Sequence, residues 1–182
     1  IPQSAKGKTI MTTEPKFVPN TAAKINIDDF SCNIKLIDCV GYLIKDAKGY
    51  EDENGPRLVK TPWYDDAIPF VEAAEIGTEK VIKDHSTIGV VITTDGSIGD
   101  FTRSDYEEAE KRVIDELKEI GKPFIVILNS VHPMLPETAR LADRLRTEND
   151  VPVIPMNIDS MTEKDIYDIL REALYEFPIL DV

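Results

Sequence analysis

Three short stretches of this chain carry residue types that could grip and cleave a phosphoanhydride. Asp38-Cys39-Val40-Gly41 sets a carboxylate three residues ahead of a glycine. At a strand end such a carboxylate can hold a metal-bound water, and the glycine lets a backbone N–H approach a terminal phosphate. Thr12 and Thr13 lie upstream, where a hydroxyl could ligate Mg²⁺ and close on that phosphate. Asn129-Ser130-Val131-His132 follows an apolar run, at the position of a loop that reads a base. On this reading Asp38, Thr12 and Thr13 are the catalytic candidates. Asp38 and Thr13 are the Mg²⁺ candidates, and Gly41, Asn129 and Ser130 the nucleotide contacts.

Two departures from the guanine-nucleotide pattern carry chemical meaning. In N-K-x-D the aspartate accepts from guanine N1–H and the 2-amino group, which adenine lacks. Here Ser130 replaces the lysine and His132 the aspartate, so a site built for those donors is missing and ATP becomes the expected nucleotide. Tyr42 follows Gly41, where a water-positioning glutamine is common, so another group must orient the attacking water.

Gly7-Lys8-Thr9 matches the tail of G-x-x-x-x-G-K-[ST], the loop whose N–H groups wrap phosphates. Five positions before Gly7 stands Pro2, which has no N–H and a fixed φ, and only Ile1 precedes it. We therefore expect Gly7-Lys8-Thr9 to lead into the switch I segment, with the true phosphate cradle upstream of Ile1. Asp95 and Asp100 read as turn acids, and Glu51-Asp52-Glu53 as a solvated loop. A phosphoacceptor built on Asp38 and Asp95 would need paired acids on an early strand, which are missing.

The elements that must position these residues follow from hydropathy. Ala23–Ile27 and Asn33–Asp38 alternate around a polar turn and predict an antiparallel pair at a sheet edge. Residues 1–21 and 41–64 predict irregular segments, the switch I and switch II regions. Apolar runs at Ile88–Ile92, Phe124–Leu128 and Val151–Met156 predict parallel strands buried on both faces. Helical stripes cover about 69–84, 104–120, 136–147 and 162–177, with Ser104 and Thr162 as N-caps. Alternating strands and helices predict a three-layer α/β fold, a mostly parallel sheet with an antiparallel edge hairpin. In such sheets ligands sit beyond the C-terminal strand ends.

Composition bounds the rest. The 182 residues, one domain's length, carry 34 acids against 21 bases, a net charge of −13, which argues against a nucleic-acid partner. No apolar run approaches the roughly 18 residues of a membrane span. Cys32 and Cys39 are too few for a disulfide framework, and with His85 and His132 they form no zinc-binding spacing.

The stretches KTIMTTEPKFVPN, DCVGY, GYEDENGPR, AAEIGTEKVI, HSTIGVVITTDGSIGD, RSDYEEAE and LREALYEFP resemble the stage IV sporulation protein A family. These are the spore-coat morphogenetic ATPases of endospore-forming bacteria, and the resemblance spans nearly the whole chain. It implies a GTPase-like P-loop fold that binds and hydrolyses ATP with Mg²⁺. It places the Walker B aspartate on Asp38 and the sensor threonines on Thr12 and Thr13. The Walker A lysine and serine have no counterpart here; the first strand, phosphate loop and first helix are expected upstream. This piece alone should therefore bind ATP poorly and be inactive. Hydrolysis in the family drives self-polymerisation into a static layer on the outer forespore membrane, in the mother-cell cytoplasm. Later domains, expected after Val182, contact a small membrane-docking peptide and other coat proteins. The alternative is a structural assembly module in which nucleotide is incidental.

Overall fold

Antiparallel strand pairs organise the first part of the chain. In the computed structural model, which describes residues 4–5, 8–9, 16–28, 30–44, 47, 49–52 and 55–177, β3 (Lys16–Ile27) and β4 (Phe30–Asp38) pair antiparallel. Ile27 lies opposite Phe30, and Asp28 takes the left-handed conformation (φ 49°) that tight hairpin turns favour. The register slips between Val18 and Ala23. This ribbon is longer than the predicted pair because the alternation continues upstream through Phe17 and Val18, opposite Ile37 and Leu36.

The region predicted as irregular before it contains a small ribbon, β1 (Ser4–Ala5) against β2 (Lys8–Thr9). The segment 41–64 is also more regular than expected. β5 (Glu51–Asp52) pairs with β6 (Gly55–Pro56), and β7 (Leu58–Thr61) pairs with β8 (Tyr64–Pro69). Short polar turns between extended runs make hairpins out of a stretch too polar to show a periodic pattern. α1 (Phe70–Lys80) packs on β7 and β8, buries Phe70, Ala73, Ala74 and Thr78, and runs on as a π-helical turn, Val81–His85.

The chain divides into two compact units, Ile1–Ser86 and Thr87–Val182. The second is a parallel sheet of β9 (Gly89–Thr94), β10 (Phe124–Asn129) and β11 (Val153–Met156), in the order β11-β10-β9. α2 (Arg103–Glu119), α3 (Pro136–Asn149) and α4 (Glu163–Tyr175) follow the three strands in turn. Ile125 and Ile127 pack with Ile169 and Ala173 of α4 on one face. Phe124 points to the other, where a Cβ on Gly89 would meet both Phe124 and Leu117 of α2. Two crossovers stepping in the same direction keep α2 and α3 on one face, opposite α4, which makes three layers.

β10 is buried on both faces as expected, but β9 is not. Val90 and Ile92, which lie beside Ile125 and Ile127, are 42% and 62% exposed. β9 ends the order of described strands, and α4 covers β10 rather than β9. Thr162 caps α4 as predicted: its Oγ1 accepts from Asp165 N at 3.3 Å and its N–H donates to Asp165 Oδ2 at 2.8 Å. The cap of α2 is Thr102 rather than Ser104. Thr102 is extended and its N–H donates to Asp105 Oδ2 at 2.7 Å, whereas Ser104 is already inside the helix.

Candidate functional site at the strand ends

Each of the three parallel strands ends in a polar loop, and hydrogen bonds tie the three loops together. Asp95 follows β9. Its Oδ1 accepts from Ser97 N at 2.9 Å and from Ser97 Oγ at 2.5 Å, closing an Asx turn. Its Oδ2 accepts from Thr138 Oγ1 at 3.2 Å, at the start of α3. The turn needs Gly96, whose φ is 88° and whose Cβ would stand 2.6 Å from Arg103 N. Ser97 Oγ accepts from Val131 N at 2.9 Å in the next loop.

Asn129 ends β10. Its Oδ1 accepts from Ile158 N at 3.0 Å, in the loop after β11. Ser130 is fully buried; its N–H donates to Met156 O at 2.8 Å and its Oγ accepts from His132 N at 3.0 Å. Burial pushes the Asp95 carboxyl up, but hydrogen bonds from Ser130, Ser97 and Thr138 together outweigh it and hold the group below the ordinary aspartate value. The result is a hydrogen-bonded polar rim in which Asn129 Oδ1 is already committed. The Asn129 amide N–H groups have no hydrogen-bond partner among the described residues, which leaves donors for a ring-nitrogen acceptor.

The other predicted residues belong to the first unit. Asp38 closes β4, is exposed, and has no side-chain hydrogen bond or ion pair among the described residues. Gly41 has φ 78° with nothing within 4 Å of a Cβ position, so its backbone is open to approach. Between them the Cys39 thiol is pushed up, first by burial and also by the Asp38 charge, against hydrogen bonds to Gly41 and Thr78. The Asp38 carboxylate could hold a Mg²⁺-bound water, but the described residues gather no cluster of three or more metal-binding side chains around it. Thr12 and Thr13 lie outside the described residues. Lys8 and Thr9 sit on a strand paired with Ser4–Ala5, not at a helix N-terminus where a phosphate nest forms.

Asn129 and Ser130 stand at the end of β10 and hydrogen-bond to the end of β11 and the loop after it. Asp95 is the turn acid its sequence context predicts, and it also joins the loop after β10 and the start of α3. The D-G-S sequence carried part of that signal, because Asx turns favour it. Thr138, 43 residues away, carried none.

Comparison with known proteins adds a family. A model described as stage IV sporulation protein A, ATPase domain, matches residues 1–178. The chain is 64% identical to stage IV sporulation protein A of Bacillus subtilis (strain 168) over 183 aligned positions, covering 100% of this chain and 37% of that relative. It is 63% identical to the Bacillus anthracis protein of that name and 50% to that of Clostridioides difficile (strain 630), with the same coverage. The chain therefore spans 37% of the length of these relatives.

Proposed function

The chain belongs to the stage IV sporulation protein A ATPase-domain family, and from that premise we propose that it binds and hydrolyses ATP within the whole protein. Asn129 and Ser130 are the proposed contacts on the base side of the nucleotide, and Gly41 the proposed contact on the phosphate side. The observation that carries this reading is the rim at Asn129: a committed side-chain oxygen, free amide donors, and His132 where a guanine-reading carboxylate would stand. An adenine ring offers acceptors to such donors and has no N1–H to satisfy.

Asp38 would hold Mg²⁺ through a water, and Thr12 or Thr13 would supply a hydroxyl ligand. When bound, Mg²⁺ neutralises the charge that develops on the transferring phosphate. The Asp38 carboxylate orients, and the Gly41 N–H donates to the terminal phosphate. The phosphate-gripping lysine comes from a part of the whole protein outside this stretch. Lys8 on a paired strand, and the exposed apolar face of Val90 and Ile92, both support that view. Closure of residues 41–64 on hydrolysis turns nucleotide state into an assembly surface. The polymer is the basement layer of the spore coat, on the cytoplasmic side of the outer forespore membrane. Contacts with a membrane-docking peptide and other coat proteins come from regions beyond this stretch.

The test is Asp38→Ala in the full-length protein. ATP hydrolysis is expected to vanish while the melting temperature is unchanged, because Asp38 is exposed. Wild-type turnover in that variant would remove Asp38 from the reaction. The competing reading, an assembly module indifferent to nucleotide, predicts equal polymer with ATP, with a nonhydrolysable analogue and with neither.

A further inference from the structure

The chain leaving β10 is held at four successive residues, and one residue stands behind all four holds. Asp95 N–H donates to Asn129 O at 3.4 Å. The Ser130 hydroxyl hydrogen-bonds the Asp95 carboxyl, and its Oγ accepts from His132 N at 3.0 Å. Ser97 Oγ donates to Asp95 Oδ1 at 2.5 Å and accepts from Val131 N at 2.9 Å. Thr138 Oγ1 lies 3.2 Å from both Asp95 Oδ2 and His132 O, and its single proton serves the two. Asp95 is half-buried, while Ser130 and Thr138 are buried.

The direction of these bonds matters. A hydroxyl has one proton and two lone pairs, and an ionised carboxylate only accepts. Asp95 therefore fixes the proton of each hydroxyl around it and leaves a lone pair for a backbone N–H. Ser97 presents that lone pair to Val131 N–H, and Ser130 presents its own to His132 N–H. None of these partners is charged, so the carboxylate is engaged by donors rather than by a counter-ion. Take the carboxylate away and both hydroxyls are free to turn.

The sheet end does not need this arrangement. Ser130 N–H already donates to Met156 O at 2.8 Å, and Asn129 Oδ1 already accepts from Ile158 N at 3.0 Å. What the Asp95 bonds add is a grip on Val131 and His132, which lie past the strand and are exposed, so that apolar packing does little to hold them. A loop ordered in advance spares a ligand the cost of ordering it on binding.

We infer that Asp95 is a positioning residue for adenine recognition: through the Ser97 and Ser130 hydroxyls it sets the backbone of the loop that offers Asn129 to the base. The inference rests on the base-contact reading above. Both Asp95 carboxylate oxygens are spent on protein donors, so the residue acts through the loop rather than on the nucleotide.

The experiment measures kcat and KM for ATP hydrolysis by the full-length protein with Mg²⁺, in wild type, Asp95→Ala, Ser97→Ala, Ser97→Thr and Asn129→Asp. Loss of binding shared by ground state and transition state raises KM and leaves kcat alone, whereas a partly unfolded sample lowers kcat and leaves KM alone. We expect KM about tenfold higher for Asp95→Ala and about fivefold higher for Ser97→Ala, with kcat within about twofold of wild type in both. Ser97→Thr keeps the hydroxyl and is expected to keep the wild-type KM. Should Asp95→Ala fail to fold, the Ser97 pair decides, because Ser97 is exposed. Wild-type KM in Ser97→Ala beside a raised KM in Asn129→Asp would overturn the positioning role and leave the base contact standing. A fall in kcat at constant KM for Asp95→Ala would also overturn it, as a purely structural effect. Wild-type KM in Asn129→Asp would instead sink the base-contact reading, and the positioning role with it.

Discussion

The Asn129 side-chain oxygen accepts from the backbone N–H of Ile158 at 3.0 Å, joining loops 29 residues apart. The oxygen serves the fold and the amide nitrogen is left for a ligand. The two roles are separable. Asn129→Asp keeps an acceptor for Ile158 and loses the donors, so its melting temperature should stay near wild type while ATP affinity in the full-length protein falls about tenfold. Asn129→Ala leaves the Ile158 N–H unpaired and should cost about 1–2 kcal/mol as well. Denaturant melts beside a fluorescent-nucleotide titration separate the two effects. Equal affinity for Asn129→Asp and wild type would take the amide out of base recognition.

Asp95 predicts an acid limb. Its folded-state value lies below the ordinary aspartate value because hydrogen bonds from Ser130, Ser97 and Thr138 outweigh burial. A depressed carboxyl stabilises the fold fully above the unfolded-state value and loses that stabilisation as pH falls through the folded-state value. Asp95→Ala should therefore cost about 1–3 kcal/mol at neutral pH, and the gap to wild type should shrink below about pH 4. Denaturant unfolding from pH 7 to 2 measures the gap. A constant gap would show that the Asp95 charge is irrelevant to the junction.

His132 tests base choice. Its side chain is exposed, so His132→Asp is expected to leave folding unchanged and to restore the acceptor that guanine requires. The ratio of GTP to ATP affinity in the full-length protein should rise about tenfold. Replacing Ser130 by lysine as well is not the better experiment, since Ser130 is fully buried and its hydroxyl holds His132 N. An unchanged ratio for His132→Asp would put base selection elsewhere.

The Arg103–Glu110 pair predicts an asymmetry. The side chains are 16% and 7% exposed, and Glu110 takes both guanidinium nitrogens. Glu110→Ala strands a half-enclosed charge beside Thr93 and should destabilise the protein by about 3–5 kcal/mol. Replacing both by methionine should be closer to neutral. Thermal melts decide: if the double variant is as damaged as Glu110→Ala, the loss is one of packing rather than of an uncompensated charge.

How far the elements could be read in advance depended on how local their causes are. The buried run of β10, the stripes of α2 to α4 and the Thr162 cap were readable, because hydropathy period and capping act within one or two turns, whereas in β11 Val153 is buried and the other three residues are half-buried. The cap of α2 slipped by two residues: Thr102 and Ser104 are equally good cap types, and the chain's extended turn at Thr102 chose between them. The ribbons within 41–64 were missed, since two-residue strands held by cross-strand bonds leave no period to detect. β9 looked as buried as β10 from its residues. Exposure of Val90 and Ile92 depends on what lies beside the strand, which its own residues do not encode.

The site divides along the same line. Residue types and spacing were enough to nominate Asp38, Gly41, Asn129 and Ser130 and to argue for adenine from His132, because motif chemistry is written in consecutive positions. Folding alone assigned Asn129 Oδ1 to Ile158, buried the Ser130 hydroxyl, and turned Asp95 into a junction with Thr138. Those roles need partners brought together from loops dozens of residues apart. Only a sheet that aligns the ends of its strands puts such loops within reach of a hydrogen bond.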